Sequence, residues 1–198
     1  MRVRIFTLTG VLLFAGTSVP AQSPAALLEL ISVSSAGMQG DKDSGTGGFT
    51  SPSNDRAAIT PDGRFVAFMS FADNLVPADT NQFADVFVRD RLTGTTERVS
   101  LTSKGREGDG DSGVRLTSGA GISDDGRFVA FASEAMNFTR GDVNGVSDVF
   151  VRDRLTGTTD LVSRGLDGVP ASGDNPVISG NGRFVAVSIV IGHAGQRR

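Results

Sequence analysis

A twelve-residue string, DVFVRDRLTGTT, stands at Asp85–Thr96 and again at Asp148–Thr159, 63 positions further on. GRFVAF keeps that offset at Gly63–Phe68 and Gly126–Phe131, and returns as GRFVAV at Gly182–Val187. The chain is thus an array of one repeated unit. Such a unit cannot bury its apolar surface alone and must stack against its neighbours.

One unit runs from about Ile59 to Ser103 and the next from Ile122 to Arg164. Each opens with a short apolar piece ending at Ile59, Ile122 or Ile178. A tight turn follows: TPDG (Thr60–Gly63), SDDG (Ser123–Gly126) or SGNG (Ser179–Gly182). Pro, Asp or Asn, then Gly at these places fits a turn whose last residue takes positive φ. FVAF, a longer loop, DVFV, the turn RDRLTG and finally TTERVS or TTDLVS complete an antiparallel meander of four short strands. Strands are expected near Leu30–Val33, Phe65–Ser70, Val86–Arg89, Thr96–Leu101, Phe128–Ser133, Val149–Arg152, Thr159–Ser163 and Phe184–Ser188.

Phe65–Phe68 and Val86–Val88 are apolar without alternation, so both faces of each sheet must be covered. Phe65, Phe68, Val86, Val88, Phe128, Phe131, Val149 and Val151 are therefore expected to be largely buried. Small sheets stacked face to face around an axis meet that demand. The fold class expected is all-β, a partial β-propeller of four-stranded blades. A parallel β-helix has a shorter repeat and needs no paired hairpin turns. Glu29–Gly45 matches Glu97–Gly113, so a closing strand of a further blade precedes the first complete one. The expected layout is residues 22–58 for this strand and its loop, 59–121 for blade 1, 122–177 for blade 2, and 178–198 for a half blade and a divergent tail. Two and a half blades do not close a ring. Either the chain is a shortened propeller, or several copies assemble.

Residues 1–21 read as a signal peptide, with Arg2 and Arg4, an apolar stretch over Ile5–Gly16, and Val19 and Ala21 before the cut. That stretch is too short to span a bilayer, and no later one is longer. The expected address is secreted or periplasmic. Cleavage removes two arginines, leaving 17 basic against 22 acidic residues, a net charge of −5. An acidic surface argues against nucleic acid as partner. The absence of cysteine excludes disulfides, thiol catalysis and cysteine metal sites. There is no Trp or Tyr to stack on sugars.

ITPDGRFVAF (Ile59–Phe68) and ISDDGRFVAF (Ile122–Phe131), each followed by DVFVRDRLTG, resemble the TolB-type propellers with WD-like Pro-Asp-Gly repeats. The resemblance spans nearly all of Glu29–Val187. Only the first turn keeps Pro; the second has Asp124 and the third Gly180. The resemblance implies an exported scaffold that binds protein without catalysis. The alternative is the non-catalytic portion of a longer secreted enzyme such as a peptidase.

In a meander the two tight turns share one end, and the long loops share the other. The long-loop face is the expected working face. Asp79, Asn81 and Asp85 recur there as Asp142, Asn144 and Asp148, with Asp41, Asp43, Asp109 and Asp111 in the inter-blade segments. Oxygen donors at this spacing suit calcium, or equally local Asx turns that start strands. His193, the only histidine, would have to serve any Ser-His-Asp triad. Paired loop carboxylates would suit glycoside hydrolysis only at the right separation. Arg89, Asp90 and Arg91 are expected to make cross-strand pairs, and Arg64, Arg127 and Arg183 to be structural. Asn137-Phe138-Thr139 fits a glycosylation acceptor in a eukaryotic host. Open blade edges favour self-association.

Overall fold

The computed structural model of the chain describes residues 28–45, 57–113, 120–142 and 144–189. The signal-peptide reading and His193 lie outside them. All regular structure among the described residues is β. Blade 1 contains β1 (Ala58–Ile59), β2 (Phe65–Ser70), β3 (Asp85–Asp90) and β4 (Thr95–Arg98), antiparallel and side by side in chain order. Blade 2 repeats this with β5 (Gly121–Ile122), β6 (Phe128–Ser133), β7 (Asp148–Asp153) and β8 (Thr158–Leu161). A two-stranded sheet of β9 (Gly173–Ile178) and β10 (Val185–Ile189) follows. The fold is a partial β-propeller of two full blades and a half.

The first turn of each unit is held by its third residue rather than by proline. Asp62 Oδ1 accepts from Thr60 Oγ1 at 2.6 Å and from the Arg64 amide at 3.0 Å. Asp125 and Asn181 do the same in the second and third turns. Each turn closes on a glycine in the left-handed region, with φ 72° at Gly63, 72° at Gly126 and 68° at Gly182. This is why Asp124 and Gly180 replace Pro61 without loss of the turn.

At the same end, Arg64 grips Asp90 through Nε (3.1 Å) and Nη2 (2.7 Å), and Arg127 grips Asp153 at 2.9 and 2.6 Å. Each carboxylate also accepts amide hydrogens of the second turn, from Leu92 and Thr93 or from Leu155 and Thr156. The guanidinium and these amides hold Asp90 and Asp153 well below the usual carboxylate range. Within the blade Asp90 takes the ion pair with Arg64, while Arg89 meets the hydroxyl of Thr96, its direct partner on β4. Arg89 donates to the Gly94 and Ser34 carbonyls and to Thr96 Oγ1, because no acid faces it. Arg91 reaches back to Glu29 at 2.7 Å.

Both faces of blade 1 are covered. Phe68 and Phe87, partners across β2 and β3, stack at 5.8 Å and pack with Ala72, Leu75 and Ile31. On the other face Ala67, Val86 and Val88 join Val129, Phe131, Phe138 and Phe150 of blade 2 in one cluster. Phe138 reaches in from the long loop and meets Phe150 edge-on at 5.1 Å. Phe68, Val86, Val88, Phe131 and Val149 are buried as expected. Phe65, Phe128 and Val151 are only half-buried. The first two stand at the blade border, where each ring lies over the turn glycine of the next blade. A Cβ on Gly126 would come within 2.3 Å of Phe65, and one on Gly182 within 2.4 Å of Phe128. Arg154 also lies against Phe65, its guanidinium carbon 4.8 Å from the ring centroid. Phe184 holds the same place in the half blade and is 68% exposed.

Leu30–Val33 forms no strand. Val33 makes a single bridge with Gln39, as Leu101 does with Glu107 and Arg164 with Pro170, so each unit ends in a curl instead of an extended run. For the same reason the fourth strands stop at Arg98 and Leu161, short of the expected Leu101 and Ser163. The curl is a clasp for the next blade. Thr96 Oγ1 donates to the Val33 carbonyl (2.5 Å) and its amide to Ser35 Oγ (2.9 Å). Thr159 does the same with Leu101 (2.5 Å) and Ser103 (2.8 Å). Glu29 pairs with Arg91 as Glu97 pairs with Arg154. The segment at 28–45 thus sits on blade 1 as the end of blade 1 sits on blade 2.

Gly126→Ala is expected to lower unfolding stability by about 1–3 kcal/mol through overpacking of the blade border. Gly105→Ala, with φ 73° and nothing within 4 Å of its Cβ, isolates the backbone strain and is expected to cost less. Urea unfolding of both variants decides it. The stability tied to Asp90 and Asp153 is fully present above the ordinary carboxylate pKa of about 4. Since the folded-state values are depressed, it is lost as pH falls below that point. Unfolding midpoints from pH 7 downward should fall less steeply in an Arg64→Gln/Arg127→Gln variant.

Candidate functional site

The long loops meet at the end of the blades opposite the tight turns. Identical side chains at offset 63 build two similar polar nests there. Asp85 and Asp148 are the first residues of β3 and β7. Each is buried at its strand start and bonded to a serine after the fourth strand: Ser100 Oγ donates to Asp85 Oδ1 at 2.5 Å, and Ser163 Oγ to Asp148 Oδ1 at 2.7 Å. Those serine oxygens also accept the Val86 and Val149 amides at 3.0 and 2.9 Å. Asn81 and Asn144 fold over the loop as Asx turns, each Oδ1 accepting an amide two residues on, from Phe83 (3.1 Å) or Val146 (3.0 Å). Their Nδ2 groups donate to Asp85 Oδ2 (3.4 Å) and Asp148 Oδ2 (2.8 Å). Two matching loop positions are left-handed in both: Ala78 and Gln82 take φ 62° and 63°, where blade 2 has Gly141 and Gly145 at 92° and 67°.

The two nests differ in what stands among the carboxylates. In blade 1, Nη1 of Arg98 lies 2.9 Å from Asp79 Oδ1, Asp85 Oδ2 and Glu107 Oε1. Glu107 is itself anchored by the amide and hydroxyl of Thr80, at 2.8 and 2.6 Å. Burial raises Asp79 to about 6 against the pull of Arg98, and raises Asp85 as well. Burial by itself would lower Arg98, but Asp85 and Asp79 more than offset it, and the guanidinium stays charged. The six residues expected to act together at this end do fall into two groups, Asp79 with Asn81 and Asp85, and Asp142 with Asn144 and Asp148. Sequence reading missed Arg98, Ser100, Glu107 and Ser163. The two serines were legible in the repeat, since VS follows the fourth strand in both units.

In blade 2 the residue matching Arg98 is Leu161, and the residue matching Glu107 is Pro170. Asp142 is 4% exposed and Asp148 0%, with no basic partner among the described residues. Burial and the neighbouring Asp148 carboxylate raise Asp142 to about 6. Asp142 Oδ1 has no hydrogen-bond partner.

The inter-blade acids are bound to neighbouring loops by amides. Asp41 accepts the Asp73 amide at 3.1 Å, Asp109 the Met136 and Asn137 amides at 2.8 and 3.2 Å, and Asp111 the Ala84 amide at 2.8 Å. Asp43 contributes its carbonyl to the Phe71 amide at 2.9 Å. Asn137 donates its amide to the Glu107 carbonyl at 2.8 Å. Beside blade 1's nest a groove of ≈ 1030 Å³ opens between blades 1 and 2, lined by Val76, Pro77, Phe83 and Leu101 with Arg106 and Glu107.

Arg98→Ala leaves Asp79, Asp85 and Glu107 around a missing cation. The expected cost is about 3–5 kcal/mol at neutral pH, as for other broken buried pairs. The loss should shrink as pH drops toward 5 and the raised carboxyls take up protons. Denaturant unfolding at both pH values checks this.

No family model and no curated protein matches the chain. Among solved structures it is similar to TolB from Acinetobacter baumannii, with 18% identity and a TM-score of 0.40 over 66% of this chain and 25% of that one. It is similar to a putative TolB from Agrobacterium tumefaciens, with 16% identity and a TM-score of 0.43 over 68% of this chain and 39% of that one. Hydrazine synthase from Kuenenia stuttgartiensis aligns at 13% identity and a TM-score of 0.38 over 67% and 36%. The chain thus spans well under half the length of the structures it matches.

Proposed function

We propose that the chain is an exported, non-catalytic propeller scaffold that binds a protein through its long-loop face. The observation that carries this reading is the groove between blades 1 and 2. Its apolar floor of Val76, Pro77 and Leu101 is rimmed by Arg106, Glu107 and Asp109, the pattern of a protein-binding patch. Phe83, 38% exposed, stands at its edge, and Met136 lies exposed on the neighbouring loop. The groove is polar-rimmed, with Arg98, Glu107 and Glu97 along it tied into ion pairs and Asp109 holding loop amides. Export is supported by the basic and apolar residues of the first 21 positions. The exposed Phe184 and Val177 of the half blade support self-association at the opposite side of the chain.

A photo-crosslinking amino acid at Phe83, Leu92 or Phe184 tests the reading in cells. The chain is expected in the exported fraction, beginning at Gln22. Position 83 should capture a partner protein, position 184 a second copy, and position 92 neither, because Leu92 lies on the tight-turn end. Equal capture from positions 83 and 92 would remove the long-loop face as the working surface.

A further inference from the structure

We propose that the Asp142–Asp148 pair of blade 2, and not the Asp79–Asp85 pair of blade 1, binds a calcium ion. The inference is independent of the partner-binding reading, and the two fail separately.

The repeat supplies its own comparison. The two nests share their aspartates, asparagine, serine and two left-handed loop positions, so a difference between them reports on the few residues that differ. In blade 1 a positive group stands among the carboxylates, Nη1 of Arg98 at 2.9 Å from three of them. That nest is built around a cation, and the chain provides it. In blade 2 the aspartates remain and the cation does not, because Leu161 stands where Arg98 would. The acidic pair is kept at 4% and 0% exposure on either side of Asn144, which bonds Asp148. Two carboxylates buried side by side are costly unless a cation or a proton joins them.

A second observation points the same way. Asp142 Oδ1 is buried and has no hydrogen-bond partner, although the Asp148 and Asn144 oxygens beside it in the nest are satisfied. Asp148 Oδ1 accepts from Ser163 and Oδ2 from Asn144, and Asn144 Oδ1 from the Val146 amide. Ser147 Oγ, next in sequence to Asp148, is likewise buried and without a partner. The oxygen that lacks a donor thus belongs to the buried aspartate that has no arginine beside it.

The chemistry selects a hard ion. All the available donors are oxygen, with no histidine or cysteine within the described residues, and such donors suit Ca²⁺ over zinc or copper. Exposed Gly141, Asn144 and Gly145 leave the nest open to solvent on the loop side. No three His, Cys, Asp or Glu side chains converge among the described residues, so two carboxylates are supplemented by loop carbonyls and water. Affinity is then expected in the range of extracellular calcium modules, about 10⁻⁴–10⁻³ M.

Calorimetry and thermal unfolding of the purified full chain, titrated with Ca²⁺ at constant ionic strength, test the assignment. One ion per chain and a calcium-dependent rise in the unfolding midpoint are expected, with a smaller response to Mg²⁺. Asp142→Asn should weaken binding at least tenfold, while Asp79→Asn leaves it within twofold. Leu161→Arg should place a guanidinium in blade 2's nest and abolish binding. Because Leu161 is a core residue, Asp142→Asn keeps the test valid should that variant fail to fold. Absence of heat and of stabilisation at millimolar Ca²⁺ in a folded sample would overturn the proposal. So would two bound ions, or equal losses in Asp142→Asn and Asp79→Asn.

Discussion

The rest of the structure depends on sheets that are apolar on both faces. β2 and β6 bury five of their six residues, so neither blade is stable as an isolated layer. Each must be covered twice. Three repeated contacts provide the cover: an aromatic ring over the next blade's turn glycine, a threonine clasped by the curled end of the preceding unit, and a glutamate–arginine pair at the border. They set the order of blades and the distance between them. They also explain why Leu30–Val33 forms a curl and not a strand. Residues 28–45 place one clasp on blade 1 and cover Phe68 and Phe87.

The two ends of a blade do different work. At the tight-turn end the buried charges of Asp90 and Asp153 are matched. Asp90 and Asp153 each take two bonds from an arginine and two from backbone amides, which fixes both hairpins to each other. That end carries rigidity. At the other end the loops are long, and their carboxylates are buried, so charge there is unbalanced by design of the fold. Blade 1 balances it with Arg98. Blade 2 lacks that residue within the same framework. A single position, 98 against 161, therefore separates a structural ion-pair nest from one suited to an added cation.

The residues at the blade border show why near-identical units do not have identical environments. Phe65, Phe128 and Phe184 are the same residue in the same strand position. The first two are half-buried under the following blade, while Phe184 faces outward at 68% exposure. Burial here is a property of the neighbour and not of the strand. The same holds for Val151, which alternation-free apolar sequence marks as interior and which the half blade leaves partly open.

By itself the sequence determined the unit, its four-strand meander, its tight turns and the sharing of acids between the two loops. These follow from local chemistry: β-branched and aromatic runs, Asp-Gly turns, and a period that returns the same residues to the same places. Only the tertiary structure decided the partners. Arg98 is 19 residues from Asp79 and 13 from Asp85, and nothing local directs its guanidinium to both. Ser100 and Ser163 reach their aspartates because antiparallel pairing of the third and fourth strands brings strand ends together. Leu30–Val33 has strand chemistry but curls, because its backbone groups are taken by Thr96 and Gln39 rather than by a ladder. Propensity acts along the chain, whereas pairing of buried polar groups is settled between segments that only folding makes adjacent.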